Sequence, residues 1–196
     1  MHIIKIFGAA LLVALTAGCA HPITVNPYID TLVADSTIPP IKKNVGYFIA
    51  ETTRTQEVTT PGGGGDKVSY QPYRDIETAL YKMLTNVFAN VTKLNVASGD
   101  PAVKKNNLDL IITPKLQTTS SSPSPLTWPP TVFSVALSMD ITDAADQPIT
   151  TLKVTGDGNA EFDEFKKDFS MSGKRASTDA LLKMQKALLS APELRK

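Results

Sequence analysis

The chain has almost no histidine and almost no cysteine. Its 196 residues include two histidines, His2 and His21, and one cysteine, Cys19. A single cysteine excludes an internal disulfide framework, and two histidines near one end exclude a His-rich metal cluster. A histidine-based nucleophilic triad is also denied to everything beyond residue 21, since the nucleophile needs a base beside it. Charge of one sign is missing too: 20 Lys and Arg stand against 19 Asp and Glu, a formal net charge of +1. That balance offers no basic face to nucleic acid and no pull toward an anionic membrane. Aromatic residues make up 7% of the chain, too few for a base-stacking platform. The one long apolar stretch, Ile6 to Leu15, falls short of the ~20 residues a membrane-spanning helix needs.

What the N-terminus does contain is ordered. Lys5 supplies positive charge, Ile6 to Leu15 the apolar run, and Thr16, Ala17 and Gly18 a small-residue approach to Cys19. That succession is the layout of a secretory signal. An ordinary signal cut needs no cysteine after it, whereas Leu15-Thr16-Ala17-Gly18-Cys19 resembles the lipobox of bacterial lipoproteins, with Thr16 where leucine is usual. The competing reading makes Cys19 a small apolar residue near a cut site; charge, run length, small residues and position together favour lipidation. The expectation is a signal peptide over residues 1–18 and a Cys19 that carries a thioether-linked diacylglycerol and an N-acyl chain. Each buried methylene contributes about 0.8 kcal/mol, so one chain holds weakly and two or three hold durably. Resemblance to these lipoproteins also implies an address. Ala20 follows the cysteine in place of the aspartate that retains such proteins at the inner membrane, which points to the periplasmic face of the outer membrane.

Residues 19–43 read as the lipidated cysteine and a tether, broken by Pro22, Pro27, Pro39 and Pro40. Extended, this stretch could hold a body up to roughly 70 Å from the bilayer. Ile23, Val25, Tyr28, Ile29 and Leu32 equally suit a segment lying on the folded domain. A single domain over 44–196 follows. Val45 to Ala50 reads as a buried strand, and Val58-Thr59 with Val68 to Tyr70 as a hairpin. The hairpin's four glycines, Gly62 to Gly65, are no phosphate loop: Asp66 precedes Lys67, Val68 follows it, and no helix begins there. Apolar residues at three- and four-residue steps, Ile76, Leu80, Met83, Leu84 and Val87, predict a helix from Pro72 to Asn90, with a short strand after it. Three long alternating strands come next, centred on Leu110, Leu137 and Val154. Pro114 favours a local edge in the first, and Gly156, Gly158 and Ala160 in the third would admit a close neighbour. A helix from Ser177 to Ser190 ends the chain. The predicted fold is α+β: a mostly antiparallel sheet of four to six strands with two helices packed on one face.

In this layout the chain resembles the small YajG-type periplasmic lipoproteins. The likeness lies in Cys19-Ala20 with Pro22, the stretch Ile23-Thr24-Val25-Asn26-Pro27, the helix of Asp75 to Val91, the strand from Leu108 to Leu116, a hairpin and a C-terminal helix. Envelope lipoproteins such as the lipopolysaccharide-assembly lipoprotein LptE share the plan. The resemblance implies fold and location and no mechanism.

Two stretches invite a chemical reading. Asp157, Asn159, Glu161, Asp163 and Asp168 fall at positions 1, 3, 5, 7 and 12 of a calcium-loop count. Phe162 stands where that loop needs glycine, and alternating polar residues are what the wet face of a strand shows. The second is the linker over 117–131. It is long for a meander, rich in proline and serine, and carries Trp128, the only tryptophan, against Pro129 and Pro130. Pro125, Trp128, Pro129 and Pro130 are therefore the candidate partner-binding residues, for a protein or a membrane surface. The alternative folds Trp128 back as a lid on the core. The expected function is a non-enzymatic, outer-membrane-anchored accessory or scaffold for an envelope protein or glycolipid system, without cofactor, metal or nucleic acid. A small-molecule or glycan-binding module and a homo-oligomeric outer-membrane collar are the alternatives.

Overall fold

The computed structural model describes residues 20–123 and 128–196. Cys19, the signal segment and Pro125 lie outside the described residues. Among the described residues eight strands form two sheets. The strands are β1 (His21–Pro22), β2 (Ile41–Phe48), β3 (Val58–Pro61), β4 (Lys67–Tyr70), β5 (Phe88–Leu94), β6 (Leu110–Ser121), β7 (Val132–Asp143) and β8 (Pro148–Asn159). The helices are α1 (Glu51–Arg54), α2 (Pro72–Val87), α3 (Pro101–Lys105), α4 (Phe162–Phe165) and α5 (Met171–Ser190).

The main sheet has the order β5-β2-β6-β7-β8. Its second half is the predicted antiparallel meander, paired in unbroken register from Leu110–Asp143 to Ser121–Val132 between β6 and β7. β2 joins parallel to both β5 and β6, pairings that alternation alone does not specify. The fold is thus α+β, with α2 and α5 packed on one face. The core between them takes Val45, Tyr47, Leu110, Ile112, Phe133, Val135, Leu137, Met139 and Ile141 from the sheet, and Leu80, Met83, Leu84, Ala176, Leu181, Met184 and Leu188 from the helices. A smaller cluster of Leu94, Leu108 and Ile111, with Ala102 and Val103 of α3 against it, forms a second apolar group.

Local chemistry sets the boundaries. Pro72 opens α2, where its missing N–H costs nothing, and Asp75 sits in the first turn. The helix stops at Val87, three residues short of the expected end, because Phe88 turns extended and pairs with Ile41 of β2. Pro114 is accommodated as expected. The β2 ladder on β6 ends at Ile112, and Leu116, of the same parity as Pro114, gives its N–H to Tyr73 Oη at 2.9 Å instead of to a strand. The small sheet takes over this flank through hydroxyls: Tyr70 Oη donates to Thr118 Oγ1 at 2.6 Å, and Ser120 Oγ to Thr60 Oγ1 at 2.6 Å.

The glycines of β8 act as the sequence suggests. A Cβ at Gly156 would overlap the backbone of Ala176 and Ala180, and one at Gly158 would overlap the Ser172 carbonyl. α5 therefore lies with its backbone directly on β8. It begins at Met171, not Ser177, because the extra turns are set by docking. Gly173 sits under Val25, whose Cγ1 would be 2.6 Å from any Cβ there, and glycine by itself disfavours a helix.

The boundary expected at Asn44 falls earlier, and the spacer reading of 20–43 is replaced by the packed one. Ile23, Val25, Leu32 and Ile41 belong to the core, with Val25 0% exposed. Polar side chains of both helices bind the backbone of this strap. Val25 N–H donates to Asp75 Oδ2 at 3.0 Å and Tyr28 N–H to Thr178 Oγ1 at 2.9 Å. Asn86 Nδ2 donates to the Leu32 carbonyl at 3.0 Å and Gln185 Nε2 to the Val33 carbonyl at 2.8 Å. A backbone so fully engaged cannot swing as a tether.

Candidate functional site

The predicted linker residues meet three other segments at one end of the body. Trp128 is half-buried and packs against the edge of the main core, while Pro129 and Pro130 are buried. On one side the Trp128 ring stacks on His21 of β1, with centroids 4.2 Å apart and planes 27° apart. On the other it meets Phe169, 4.8 Å away and tilted by 55°. The glycine hairpin supplies the third contact: Gly63 N–H donates to the Trp128 carbonyl at 2.9 Å. A side chain at Gly62 would overlap that same carbonyl. The hairpin's glycines thus serve close backbone approach.

Below the ring the linker is fixed to the body. Ser172 Oγ of α5 donates to the Pro130 carbonyl at 2.6 Å, and Ala160 N–H to the Thr131 carbonyl at 2.9 Å. One portion of the Trp128 surface therefore covers the core and the rest faces out. His21 corrects the expectation that the folded domain holds no histidine. β1 pairs with β4, and the imidazole lies against Trp128 with the Asp66 carboxylate 3.9 Å from Nε2. Sequence reasoning missed His21 and Phe169, since neither lies in a motif; their signal is proximity alone.

Other titratable groups are committed to structure. Burial by itself would raise the Glu77 carboxyl, but hydrogen bonds from Lys93 and Arg54 outweigh it and hold the group below the usual range. Burial, then the neighbouring Glu77, push Tyr47 up to about 12. Perturbed groups of this kind mark catalytic sites when they face a cleft, but Glu77 is already held by its two cations. A depression of about 590 Å³ beside α3 contains Asp100 and Asp146. The Asp100 carboxylate caps α3 and accepts from the N–H groups of Asn95, Val96 and Ala102. Asp146 accepts from Ser98 Oγ. The calcium-count residues are spread along β8, α4 and the turn after it, with Asp163 taken by Lys166 and Asp168 by Lys174. Among the described residues no three His, Cys, Asp or Glu side chains are grouped to hold a metal ion. No described helix is long and apolar enough to cross a membrane.

The edge of β8 is only partly open to another strand. Asp157 N–H donates to Asp179 Oδ2 at 3.0 Å. Lys183 Nζ donates to the Thr155 carbonyl at 2.8 Å and Arg175 Nη1 to the Asn159 carbonyl at 2.7 Å. Side chains of α5 thus block the C-terminal half of an edge that would otherwise invite pairing.

No family model matches the chain, and no curated protein does. Among solved structures it is similar to protein XCC0632 from Xanthomonas campestris, assigned to family DUF330. Identity there is 12%, with 87% of this chain and 92% of that one covered and a TM-score of 0.53. A neuraminyllactose-binding hemagglutinin homolog from Helicobacter pylori aligns at 11% identity over 77% of this chain and 86% of its own, with a TM-score of 0.44. At such identities the first likeness shows a shared fold and nothing of role.

Proposed function

We propose that this chain is a YajG-like bacterial lipoprotein, held by acylated Cys19 to the periplasmic face of the outer membrane. There it acts as a non-enzymatic accessory or scaffold for an envelope protein or glycolipid system. One observation supports this above the others: the strap that follows Cys19 is bound to the body from His21 onward. A domain joined to its anchor without a spacer works at the membrane surface, not at a distance from it. Its task would be to hold a membrane-proximal partner in place, near the Trp128 end.

The test is Cys19→Ala. The variant is expected to lose the added acyl mass in intact-mass spectrometry and to leave the membrane fraction. It should also fail to rescue a deletion strain, because a scaffold works only in place. Native protein with a free thiol and residues 1–18 still attached would refute the anchor. Full rescue by the soluble variant would refute the scaffold.

A further inference from the structure

We propose that the end of the domain bearing Trp128, Phe169 and Phe162 rests on the phospholipid surface, with these rings at headgroup level. This rests on the Cys19 anchor and adds an orientation to it. Only Ala20 separates Cys19 from His21, two steps of chain with a reach of about 8 Å at ~3.8 Å per step. His21 is itself stacked on Trp128. It cannot move away from the body, since Ile23 N–H donates to the Ser69 carbonyl at 2.9 Å and Val25 N–H to Asp75. Acyl chains on Cys19 would therefore enter the bilayer beside Trp128, and no other end of the molecule could face the lipid so closely.

The same end exposes apolar surface. Phe169 is 45% exposed and touches Trp128, Phe162 is 61% exposed, and Val132 is 42% exposed. Phe162 and Val132 line one shallow depression with Pro123 and Phe165, at the mouth of the linker. Tryptophan and aromatic belts suit the membrane–water boundary, where a ring meets hydrocarbon and headgroup together. The Lys166 ammonium lies over the Phe162 ring, 5.3 Å from its centroid, and pairs with Asp163 at 2.6 Å, so a polar, charge-balanced group borders the exposed ring as at a membrane–water boundary. Charge here is mixed, with Lys67, Lys166 and Lys167 near Asp66 and Asp163. Contact with a zwitterionic surface therefore needs no anionic lipid.

Trp128 is the only tryptophan, so its emission reports this one place. The full acylated protein, purified from membranes, is reconstituted into phosphatidylcholine vesicles. Expected are a blue-shifted emission, protection from aqueous iodide, and quenching by lipid brominated on its upper acyl carbons. Phe162→Ser removes an exposed ring that packs on Phe165; it should float with the vesicles, keep the wild-type Tm and show weaker quenching. The proposal is overturned if wild-type protein floats with the vesicles while Trp128 stays open to iodide and untouched by brominated lipid, as a face kept for a protein partner would. Protein that does not float at all fails one step earlier, at the anchor, and the orientation falls with it.

Discussion

Gly62 and Trp128 show how much one absent methyl group decides. The Trp128 carbonyl occupies the space a Gly62 side chain would fill, and Gly63 N–H anchors the same oxygen. Gly62→Ala should therefore push hairpin and linker apart and lose about 1–3 kcal/mol, the usual range for overpacking. Urea denaturation measures the loss, and a shifted Trp128 emission shows its place. An unchanged midpoint and spectrum would mean that the junction yields freely. Four glycines in a row were legible as a flexible hairpin tip. Their second use, as a platform for a carbonyl 66 residues on in the chain, was not, because a sequence shows that a side chain is missing but not what approaches the gap.

At the scale of elements, α4 is tied to α5 by charge. The Arg175 guanidinium holds both oxygens of Glu164, at 2.9 and 2.7 Å. With the Glu161 N–H it draws the Glu164 carboxyl down to about 2 from an ordinary 4.5. A carboxyl depressed on folding adds stability that is fully present above its unfolded value and disappears as pH falls through the folded one. Here that window runs from about 4.5 to about 2. Glu164→Gln should flatten the fall of Tm across that window, which thermal scans at a series of pH values would show. An identical fall would place the acid sensitivity in the other lowered carboxyls, Asp35, Glu77, Asp100, Asp140 and Asp168. The elements themselves were largely readable. Period-two alternation marked β6, β7 and β8, and a stripe at three- and four-residue steps marked α2. The first turns of α5 were hidden, because Met171 to Ala176 carry no apolar stripe and their helix is held by Val25 and β8.

For the whole molecule the N-terminal strap matters most. Residues 23–33 are bound by α2 and α5 together, so the N-terminal segment is coupled to the main core. Val25 lies 0% exposed over Gly173. Val25→Ala should cost roughly 2 kcal/mol, the transfer of two methyl-sized groups plus a residual cavity. Chemical denaturation of the full chain tests this directly. A free spacer would show no loss, and that result would restore the long-tether geometry and remove the basis for placing Trp128 at the membrane.

Local order along the chain was enough to establish the two long helices and the three long strands, the wet and buried faces of the meander, and the polar, proline-rich linker, but not the short helices α1, α3 and α4. Each legible feature is a repeat of 2 or 3.6 residues, or a breaker, visible within one short window. Tertiary structure alone decided that β2 runs parallel to its neighbours and that the strap joins the core. It alone brought His21, Trp128, Phe169 and Gly62 to one end. Those outcomes depend on contacts between distant backbone atoms and single rings, and such contacts leave no periodic trace in the residues that make them.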